Sequence, residues 1–472
     1  MTNIPRPSGQ EERVRNYICE FAKARGLEYV TDAPGNVLVR RPGSGGGEAA
    51  PRVVIQNHLD MVTEKNADTE HDFLADPIRC LRDGDWITAD GTTLGADNAV
   101  GAAAALALLD APAGTKLPPL ECLFTVDEET GMTGAFELDG SMITGRTLLN
   151  LDSEEWGAVF TGCAGGGDCK LTVACPEEPA PPGGVTLRLA VTGLLGGHSG
   201  LNINEDRGNA TRILCDALAA VLRAAPGSRV AALSAGDKRN AISREGWATL
   251  VVPAAERAAA EAAVAACHEQ TRAEFGLVER DAAVALAPAG EPAATVLDAA
   301  AAARLVALVR TLPHGVVKRS HALPGLVETS SNTASVKKVP GGYQVVTCSR
   351  SSLGHALERT RDAIRAIGEG LGATVELEDA YPGWQPDPSS AVTGLVRDEY
   401  RRLSGAEAQV GGIHAGLECG IIGERVGDRM DMVSFGPTIT GAHSPDERVQ
   451  VSTVAPFYQL TLAVLSRLAD AR

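Results

Sequence analysis

The sequence is short of basic residues and of long apolar runs. Its 43 Lys and Arg residues are outnumbered by 60 Asp and Glu residues, which gives a net charge of -17. This balance argues against nucleic acid or an anionic membrane as a partner, because both bind preferentially to clustered positive charge. The most apolar run, residues 99–109, is too short to span a bilayer.

The sequence also lacks paired cysteines and a secretory signal. Its ten cysteines contain no Cys-x-x-Cys pair, and several, such as Cys122 and Cys215, lie in apolar stretches. This favours reduced, buried thiols in a reducing compartment over disulfides. The first residues, MTNIPRPSGQEERVRNY, are polar and charged and have no apolar core. We therefore expect a soluble, cytoplasmic protein.

The length of 472 residues predicts two domains or one interrupted domain. Two proline-rich segments, residues 176–184 (PEEPAPPGG) and 381–390 (YPGWQPDPSS), divide the chain. We expect one domain made of residues 1–182 and 381–472, interrupted by an inserted domain, named the lid, at residues 183–380. Strand and helix patterns alternate in the lid segment as well, which predicts a separate α/β domain.

Near the N-terminus lies a pattern that is typical of the start of a helix. Ser8 and Glu11 have the spacing of a capping box, ahead of an amphipathic stretch that stops at Gly26. We therefore expect Ser8 to cap the first helix.

Three short apolar runs, at residues 52–56, 121–126 and 147–151, are typical of buried strands. Each ends in polar residues, with the sequences NHLD, DEE and DSEE. An alanine-rich helix separates the first two runs. Alternating strands and helices predict an α/β fold with a mixed, mainly parallel sheet, in which ligands bind beyond the carboxyl ends of the strands. The three polar clusters are expected at that edge.

Two of the nine histidines are well placed for chemistry. His58 directly ends a predicted strand, and Asp60 has the spacing to orient a metal-bound imidazole. His443 lies in the glycine- and proline-containing loop GAHSP. His414 lies among small and apolar residues, and its role stays open.

The carboxylates near these histidines suit metal binding. Asp97 opens a helix and, taken alone, would be a plain N-cap. Glu128 and Glu129 are adjacent at a strand end, where they repel unless a cation or a proton stabilises them. One of them could bind metal while the other takes a proton from water. Together with Asp152, these residues suit a pair of zinc-like ions with one bridging carboxylate.

Four local sequences occur in order and resemble those of the co-catalytic zinc peptidases related to carboxypeptidase G and peptidase T. They are QNHLDMV from Gln56, TLGADN from Thr93, DEETGM from Asp127 and NLDSEE from Asn150. Within that clan the closest resemblance is to the bacterial aminoacyl-histidine dipeptidases. It rests on CAGG from Cys163, GGHSG from Gly196, RNAI from Arg239, YPGWQPD from Tyr381, IHAGLECG from Ile413 and GPTITGAHSPDE from Gly436. The resemblance covers nearly the whole chain.

The resemblance implies a site with two divalent metal ions, zinc or alternatively manganese or cobalt. The residues that would hold them are His58 and Asp152 for one ion, Glu129 and His443 for the other, and Asp97 as the bridge. Glu128 would be the general base and then the acid to the leaving amine, and Asp60 would orient His58. In the lid, His198 would stabilise the oxyanion, while Asn240 and Arg350 would contact the substrate.

The activity that the resemblance implies is hydrolysis of the peptide bond of small dipeptides, including Xaa-His and β-alanyl-histidine. The nucleophile would be a water activated by the two metal ions, with Glu128 as the general base. A homodimer formed through the lid domain is also implied. One alternative is a relative that cleaves another small amide, such as an N-acyl amino acid. A non-catalytic metal-binding protein is a further alternative, but such a protein is expected to have lost Glu128 or a ligand, and all of them are present.

Overall fold

The structure is a computed structural model that describes residues 1–427 and 430–471. The chain forms two units. Unit 1 comprises Met1–Cys163, Trp384–Gly412 and Leu417–Arg472, and unit 2 comprises Ala164–Gly383 and Ile413–Gly416. Among the described residues, no helix combines the length and the apolar character needed to cross a membrane.

The helices and strands follow one another along the described chain. The α-helices are α1 (Glu12–Ala24), α2 (Ala96–Leu109), α3 (Glu128–Gly131), α4 (Thr133–Phe136), α5 (Ala210–Ala224), α6 (Arg257–Phe275), α7 (Ala299–Thr311), α8 (Gly354–Gly370), α9 (Ala391–Ser404), α10 (Glu418–Val426) and α11 (Val451–Leu468). The strands are β1 (Glu28–Thr31), β2 (Val37–Arg41), β3 (Val53–His58), β4 (Cys80–Asp83), β5 (Trp86–Ala89), β6 (Leu120–Thr125), β7 (Thr147–Asn150), β8 (Ala158–Cys163), β9 (Gly165–Ala174), β10 (Glu177–Pro179), β11 (Gly184–Thr192), β12 (Gly197–His198), β13 (Arg229–Ala235), β14 (Ala241–Ile242), β15 (Gly246–Pro253), β16 (Ala283–Pro288), β17 (Thr295–Leu297), β18 (Gly315–Arg319), β19 (Val327–Val339), β20 (Gly342–Ser351), β21 (Thr374–Leu377), β22 (Gln409–Ile413), β23 (Asp431–Ser434), β24 (Ile439–Thr440) and β25 (Arg448–Gln450).

Unit 1 is built on an eight-stranded mixed sheet. Its strand order is β1-β2-β6-β3-β7-β23-β8-β22. The central strands β6, β3, β7 and β23 run parallel to one another, and β1 and β2 pair antiparallel beside them. Every residue of β3 and β6 is buried, as expected for strands covered on both faces. The predicted α/β class with a mixed sheet is therefore confirmed.

Helix α2 lies very close to the carboxyl ends of β3 and β7. A Cβ atom added to Gly101 would lie 2.1 Å from Asn98 Oδ1, 2.5 Å from the Leu151 carbonyl oxygen and 2.8 Å from the Asn57 amide. The absence of a side chain at Gly101 therefore sets how closely this helix approaches the strand ends.

Unit 2 has its own nine-stranded sheet and its own core. The strand order is β16-β11-β15-β13-β19-β20-β9-β21, and β18 also pairs with β19. Helices α5, α6 and α7 pack together over the sheet. The core includes the fully buried side chains Leu214, Leu218, Leu250, Leu305 and Val345.

The boundary between the units differs from the expected one. We expected the inserted domain to begin at residue 183, after a proline-rich linker. Strand β9 instead pairs along its length with β20, so unit 2 already begins at Ala164. The proline-rich segment lies inside unit 2, where β10 pairs with β17. At the other end, unit 2 extends to Gly383 rather than 380, because the Tyr381 backbone pairs with Gly166.

Candidate active site

The parallel strands of unit 1 bring the predicted ligands together. Strand β3 ends at His58, while Glu128 and Asp152 follow the ends of β6 and β7. Because β6, β3 and β7 are parallel neighbours, their carboxyl ends meet at one edge. Asp97 from the first turn of α2 and His443 from the loop after β24 reach the same edge.

Asp97 lies between the two histidines. Its Oδ1 is 3.0 Å from His58 Nε2, and its Oδ2 is 3.4 Å from His443 Nε2. His58 Nε2 is also 3.3 Å from Asp152 Oδ1, and His443 Nε2 is 2.9 Å from Glu129 Oε2. The cluster therefore consists of two imidazole–carboxylate groups that share one carboxylate.

Asp97 is not the helix cap that its position alone suggests. The N-cap position of α2 is Gly95, and Asp97 has non-helical backbone angles of φ -76° and ψ 111°. Glu447 fixes this turn, since its carboxylate accepts the N–H groups of Leu94 and Gly95 at 2.8 Å and that of Asp97 at 3.2 Å. Sequence reasoning missed Glu447, although it lies only four residues after His443.

Asp60 connects the His58 imidazole to the segment that carries Glu128. Its Oδ1 is 3.3 Å from His58 Nδ1 and accepts the Glu128 N–H at 3.0 Å. Its Oδ2 accepts the Glu129 N–H at 3.1 Å. The expected partner of Asp60 is therefore in place, and the same carboxylate also anchors the turn after β6.

Ser8 has a different role from the predicted helix cap. Helix α1 begins at Glu12 and its N-cap residue is Glu11. The Ser8 hydroxyl donates instead to Asp60 Oδ2 at 2.7 Å, and Glu11 Oε1 accepts the N–H groups of Gly9 and Asp127 at 2.7 and 3.0 Å. The capping-box prediction is wrong because both side chains bind the segments around the cluster.

The cluster favours positive charge at both imidazoles. Hydrogen bonds that the His443 ring donates to the carboxylates of Asp97 and Glu129 raise the pKa of His443 to about 11. Burial lowers the pKa of His58, but the facing carboxylates of Asp152, Asp60 and Asp97 outweigh burial and raise it well above its ordinary value. The carboxylates thus favour positive charge at this cluster, which bound divalent ions would supply.

The pKa values of the carboxyl groups also indicate that the cluster favours bound positive charge. Burial raises the pKa of Glu128 well above its usual range, and the negative charges of Asp152, Glu418 and Glu129 raise it further. Burial also raises the pKa values of Glu129 and Asp152. Within each group the nitrogen and oxygen atoms lie within 4.8 Å of one another. These imidazole nitrogens and carboxylate oxygens are suitable ligands for a pair of zinc-like ions.

The three predicted substrate-contacting residues lie in unit 2, and two of them touch. Arg350 Nη2 is 3.4 Å from His198 Nε2, and Arg350 Nη1 donates to the Tyr381 hydroxyl at 2.9 Å. Asn240 has an exposed side chain, and its carbonyl oxygen accepts the Ser199 N–H at 2.8 Å, which places it beside His198. Burial and the charge of Arg350 lower the pKa of His198 to about 4, so its ring is neutral near pH 7.

Comparisons with known proteins show what this chain is similar to. The model of peptidase family M20/M25/M40 matches residues 54–467. The cytosol non-specific dipeptidase of Escherichia coli (strain K12) is 40% identical over 466 residues, which is 99% of this chain and 95% of that protein. The crystal structure of aminoacylhistidine dipeptidase from Vibrio alginolyticus has 39% identity and a TM-score of 0.90, covering 99% of this chain and 94% of that one.

A more distant structure shares the fold. The aminopeptidase PepT from Bacillus cereus has 14% identity and a TM-score of 0.56, and the match covers 99% of this chain and 96% of that one. The resemblance that the sequence motifs indicated is thus confirmed. This chain belongs to peptidase family M20/M25/M40.

Proposed function

We propose that the protein hydrolyses the peptide bond of small dipeptides, Xaa-His and β-alanyl-histidine among them, with two bound divalent metal ions. The observation that carries this proposal is the single carboxylate of Asp97, shared between the His58 and His443 groups. The names of the E. coli and V. alginolyticus relatives support dipeptides as the substrate class, and the former supports the cytosol as the compartment.

The proposed metal ligands are those whose atoms converge in the cluster. His58 and Asp152 would hold one ion, Glu129 and His443 the other, and Asp97 both. Bound zinc, or manganese or cobalt in its place, supplies a Lewis acid and lowers the pKa of a coordinated water toward 7. The nearby Asp60 carboxylate keeps the His58 ring oriented, with Nε2 directed at Asp97 and Asp152.

Glu128 is the proposed proton carrier. Its backbone N–H is fixed by Asp60, so the side chain starts from a rigid point at the end of β6. In its ionised form the carboxylate takes a proton from the attacking water, and in its protonated form it delivers that proton to the leaving amine.

His198 and Arg350 are the proposed donors to the substrate. His198 Nδ1 accepts the N–H groups of Gly200 and Leu201 at 3.2 and 3.1 Å, so the proton of the neutral ring is on Nε2. Two donors, His198 Nε2 and Arg350 Nη2, therefore face each other and need an anionic oxygen between or beside them. We assign His198 to the oxyanion, Arg350 to the terminal carboxylate of the dipeptide and Asn240 to a further substrate contact.

A homodimer formed through unit 2 completes the proposal. Unit 2 carries exposed apolar side chains, among them Leu277 with 97% of its surface exposed and Leu195 with 55%. Burial of such side chains in an interface is favourable. Sedimentation equilibrium tests this directly, and a single species of 48.9 kDa at all concentrations would overturn the dimer.

The test of the activity is hydrolysis by metal-stripped protein with zinc, manganese or cobalt added back. The substrates are β-alanyl-histidine, glycyl-histidine, leucyl-alanine, a tripeptide and N-acetyl-histidine. We expect metal-restored cleavage of the dipeptides. Cleavage of N-acetyl-histidine alone would identify a deacylase instead, and no cleavage with any metal would refute the hydrolase assignment.

The variant Glu128→Gln tests the proton carrier. Because an amide cannot take up the proton, we expect kcat to fall by about 10²–10⁴-fold while both metal ions stay bound. Glu137→Gln, at an exposed position nearby, is the matched control and should keep full activity. Full activity in a pure Glu128→Gln preparation would show that the mechanism is wrong.

A further inference from the structure

A row of buried polar side chains crosses the parallel strands just below the metal ligands of unit 1. Gln56 on β3 and Asn150 on β7 each precede a ligand, His58 or Asp152, by two residues. Asn150 Nδ2 donates to Gln56 Oε1 at 2.5 Å, and the Ser434 hydroxyl on β23 donates to Asn150 Oδ1 at 2.5 Å. Gln56, Asn150 and Ser434 are fully buried, so the partners of each amide are set by the protein alone.

Glu418 ends this row. Its side chain is fully buried at the first position of α10. Oε2 accepts Gln56 Nε2 at 2.5 Å and the Thr125 hydroxyl at 2.7 Å, whereas Oε1 is buried with no hydrogen-bond partner. Burial of a carboxyl group with one oxygen left without a hydrogen bond is unfavourable in free energy, which indicates a role beyond packing.

The direction of each amide follows from Glu418. Gln56 Nε2 donates to Glu418 Oε2 at 2.5 Å, so the Gln56 amide directs its other end, Oε1, toward Asn150. Asn150 must then direct Nδ2 toward Gln56 and Oδ1 toward β23, where Oδ1 also accepts the Asp152 N–H at 3.3 Å. A chain of fixed amide orientations thus runs from Glu418 to the backbone of Asp152.

We propose that Glu418 is a positioning residue for the metal centre, acting through Gln56 and Asn150 on the ion held by His58 and Asp152. This inference rests on the proposed function, because it assumes that the cluster binds two ions. Glu129 and His443 come from α3 and from the loop after β24, outside the row. Loss of Glu418 should therefore weaken the binding of the ion held by His58 and Asp152 and leave the binding of the other ion unchanged.

The experiment compares Glu418→Met with Glu418→Gln in zinc titrations of the full-length, metal-free protein against a chromophoric chelator. Methionine removes the acceptor, and we expect one of the two binding steps to weaken by about 10–100-fold while the other is unchanged. Glutamine keeps an oxygen that can accept from Gln56 and Thr125, so both steps should stay near the parent values. Dipeptidase activity of Glu418→Met should recover when zinc is raised, with KM unchanged.

The matched control is Glu121→Met, which removes another fully buried carboxylate of the same unit. Glu121 lies near the start of β6, away from the ligands, and accepts the N–H groups of Thr144 and Gly145 at 2.9 Å. Its loss should lower the melting temperature without changing either binding step. If Glu418→Met does not fold, Gln56→Met interrupts the row next to Glu418 and should give the same selective weakening.

Several results would overturn the proposal. One is that Glu418→Met weakens both zinc-binding steps equally, and another is that it weakens neither step. A third is that Glu418→Gln loses as much zinc affinity as Glu418→Met. A parent protein that binds two ions without cleaving dipeptides would refute the proposed function and leave this inference standing. A parent that binds no divalent ion would refute both.

Discussion

At the scale of single residues, Asp60 contacts more of the site than its place in sequence, two residues after His58, suggests. Burial alone would raise its pKa, but the hydrogen bond and charge of His58 and the Ser8 hydroxyl lower it to about 2. The carboxylate is therefore ionised throughout the neutral range and accepts from several segments at once. The proposed general base, Glu128, and the proposed metal ligand Glu129 are thereby anchored by the same carboxylate.

Arg350→Lys tests how the substrate carboxylate is recognised. Lysine carries the charge but not the planar fork that contacts Tyr381 and Ser199, so we expect KM for free dipeptides to rise about tenfold or more. Measurement of kcat and KM with a dipeptide and its C-terminal amide provides the internal control. An equal penalty on both substrates would contradict the carboxylate assignment.

His414, which the sequence left open, predicts a dependence of stability on pH. Burial, together with the charges of Arg350 and His198, lowers its pKa from 6.5 to about 3, and Ser330 Oγ lies 2.7 Å from its Nε2. Between about pH 3 and pH 6.5, the His414 ring binds a proton in the unfolded chain but not in the folded chain. The contribution of His414 to stability is therefore complete above pH 6.5 and is lost as the pH falls.

The slope that this titration adds is up to about 1.4 kcal/mol per pH unit below pH 6.5. The measurement is the unfolding free energy of unit 2 from hydrogen exchange of its amides, in the parent and in His414→Gln, both metal-free. We expect a shallower pH slope in the variant. His321→Gln, at an exposed histidine, is the control, and identical slopes in all three proteins would contradict the prediction.

At the scale of helices and strands, the sequence predicts the central sheet well. Strands β3, β6 and β7 fall within one or two residues of the expected runs, because strands buried on both faces are continuously apolar. The polar residues after them converge because parallel strands end at one edge. The motifs at these ends therefore predicted which candidate ligands lie close together.

Other parts of the site could not be predicted because their partners are remote in sequence. Gln56 and Glu418 are 362 positions apart, and Gly95 and Glu447 are 352 apart. Strand β9 was missed because its glycine-rich start, GGG, resembles a loop rather than a strand. Ser8 was misassigned because a capping-box spacing is also compatible with bonds to distant segments.

Gly101→Ala tests the close approach of α2 to the strand ends. Alanine at an open helix position normally stabilises by up to about 1 kcal/mol, but here the new Cβ would meet the Asn98 side chain and the Leu151 carbonyl. We expect a lower melting temperature and weaker zinc binding, since Asn98 lies beside Asp97. Gly394→Ala in α9, where nothing lies within 4 Å, is the control and should be neutral or stabilising. Unchanged zinc affinity in Gly101→Ala would contradict the prediction.

At the scale of the whole molecule, each unit has its own sheet and its own buried core. All the proposed metal ligands lie in unit 1. We therefore expect calorimetry to resolve two unfolding transitions, of which only one moves when zinc is added. At a free zinc concentration of 100 times Kd, the stabilisation should be about 2.7 kcal/mol per ion.

The control for calorimetry is His443→Ala, which removes one proposed ligand and should reduce the zinc-induced shift. Hydrogen exchange assigns each transition to a unit. Equal shifts of both transitions, or a shift confined to the amides of unit 2, would contradict the prediction.

The chain leaves unit 1 at Cys163 and returns to it at Trp384, and these residues are hydrogen-bonded neighbours. The Cys163 N–H donates to the Trp384 carbonyl at 2.9 Å, and the Trp384 N–H donates to the Cys163 carbonyl at 3.0 Å. The exit and return points thus lie side by side, and a short turn would be enough to join Cys163 to Trp384 directly. Unit 1 is in this sense modular: residues 164–383 are inserted between two residues that one pair of hydrogen bonds already joins. We therefore expect such a junction to accept exchange of residues 164–383 for another domain with little rearrangement of the eight-stranded sheet of unit 1.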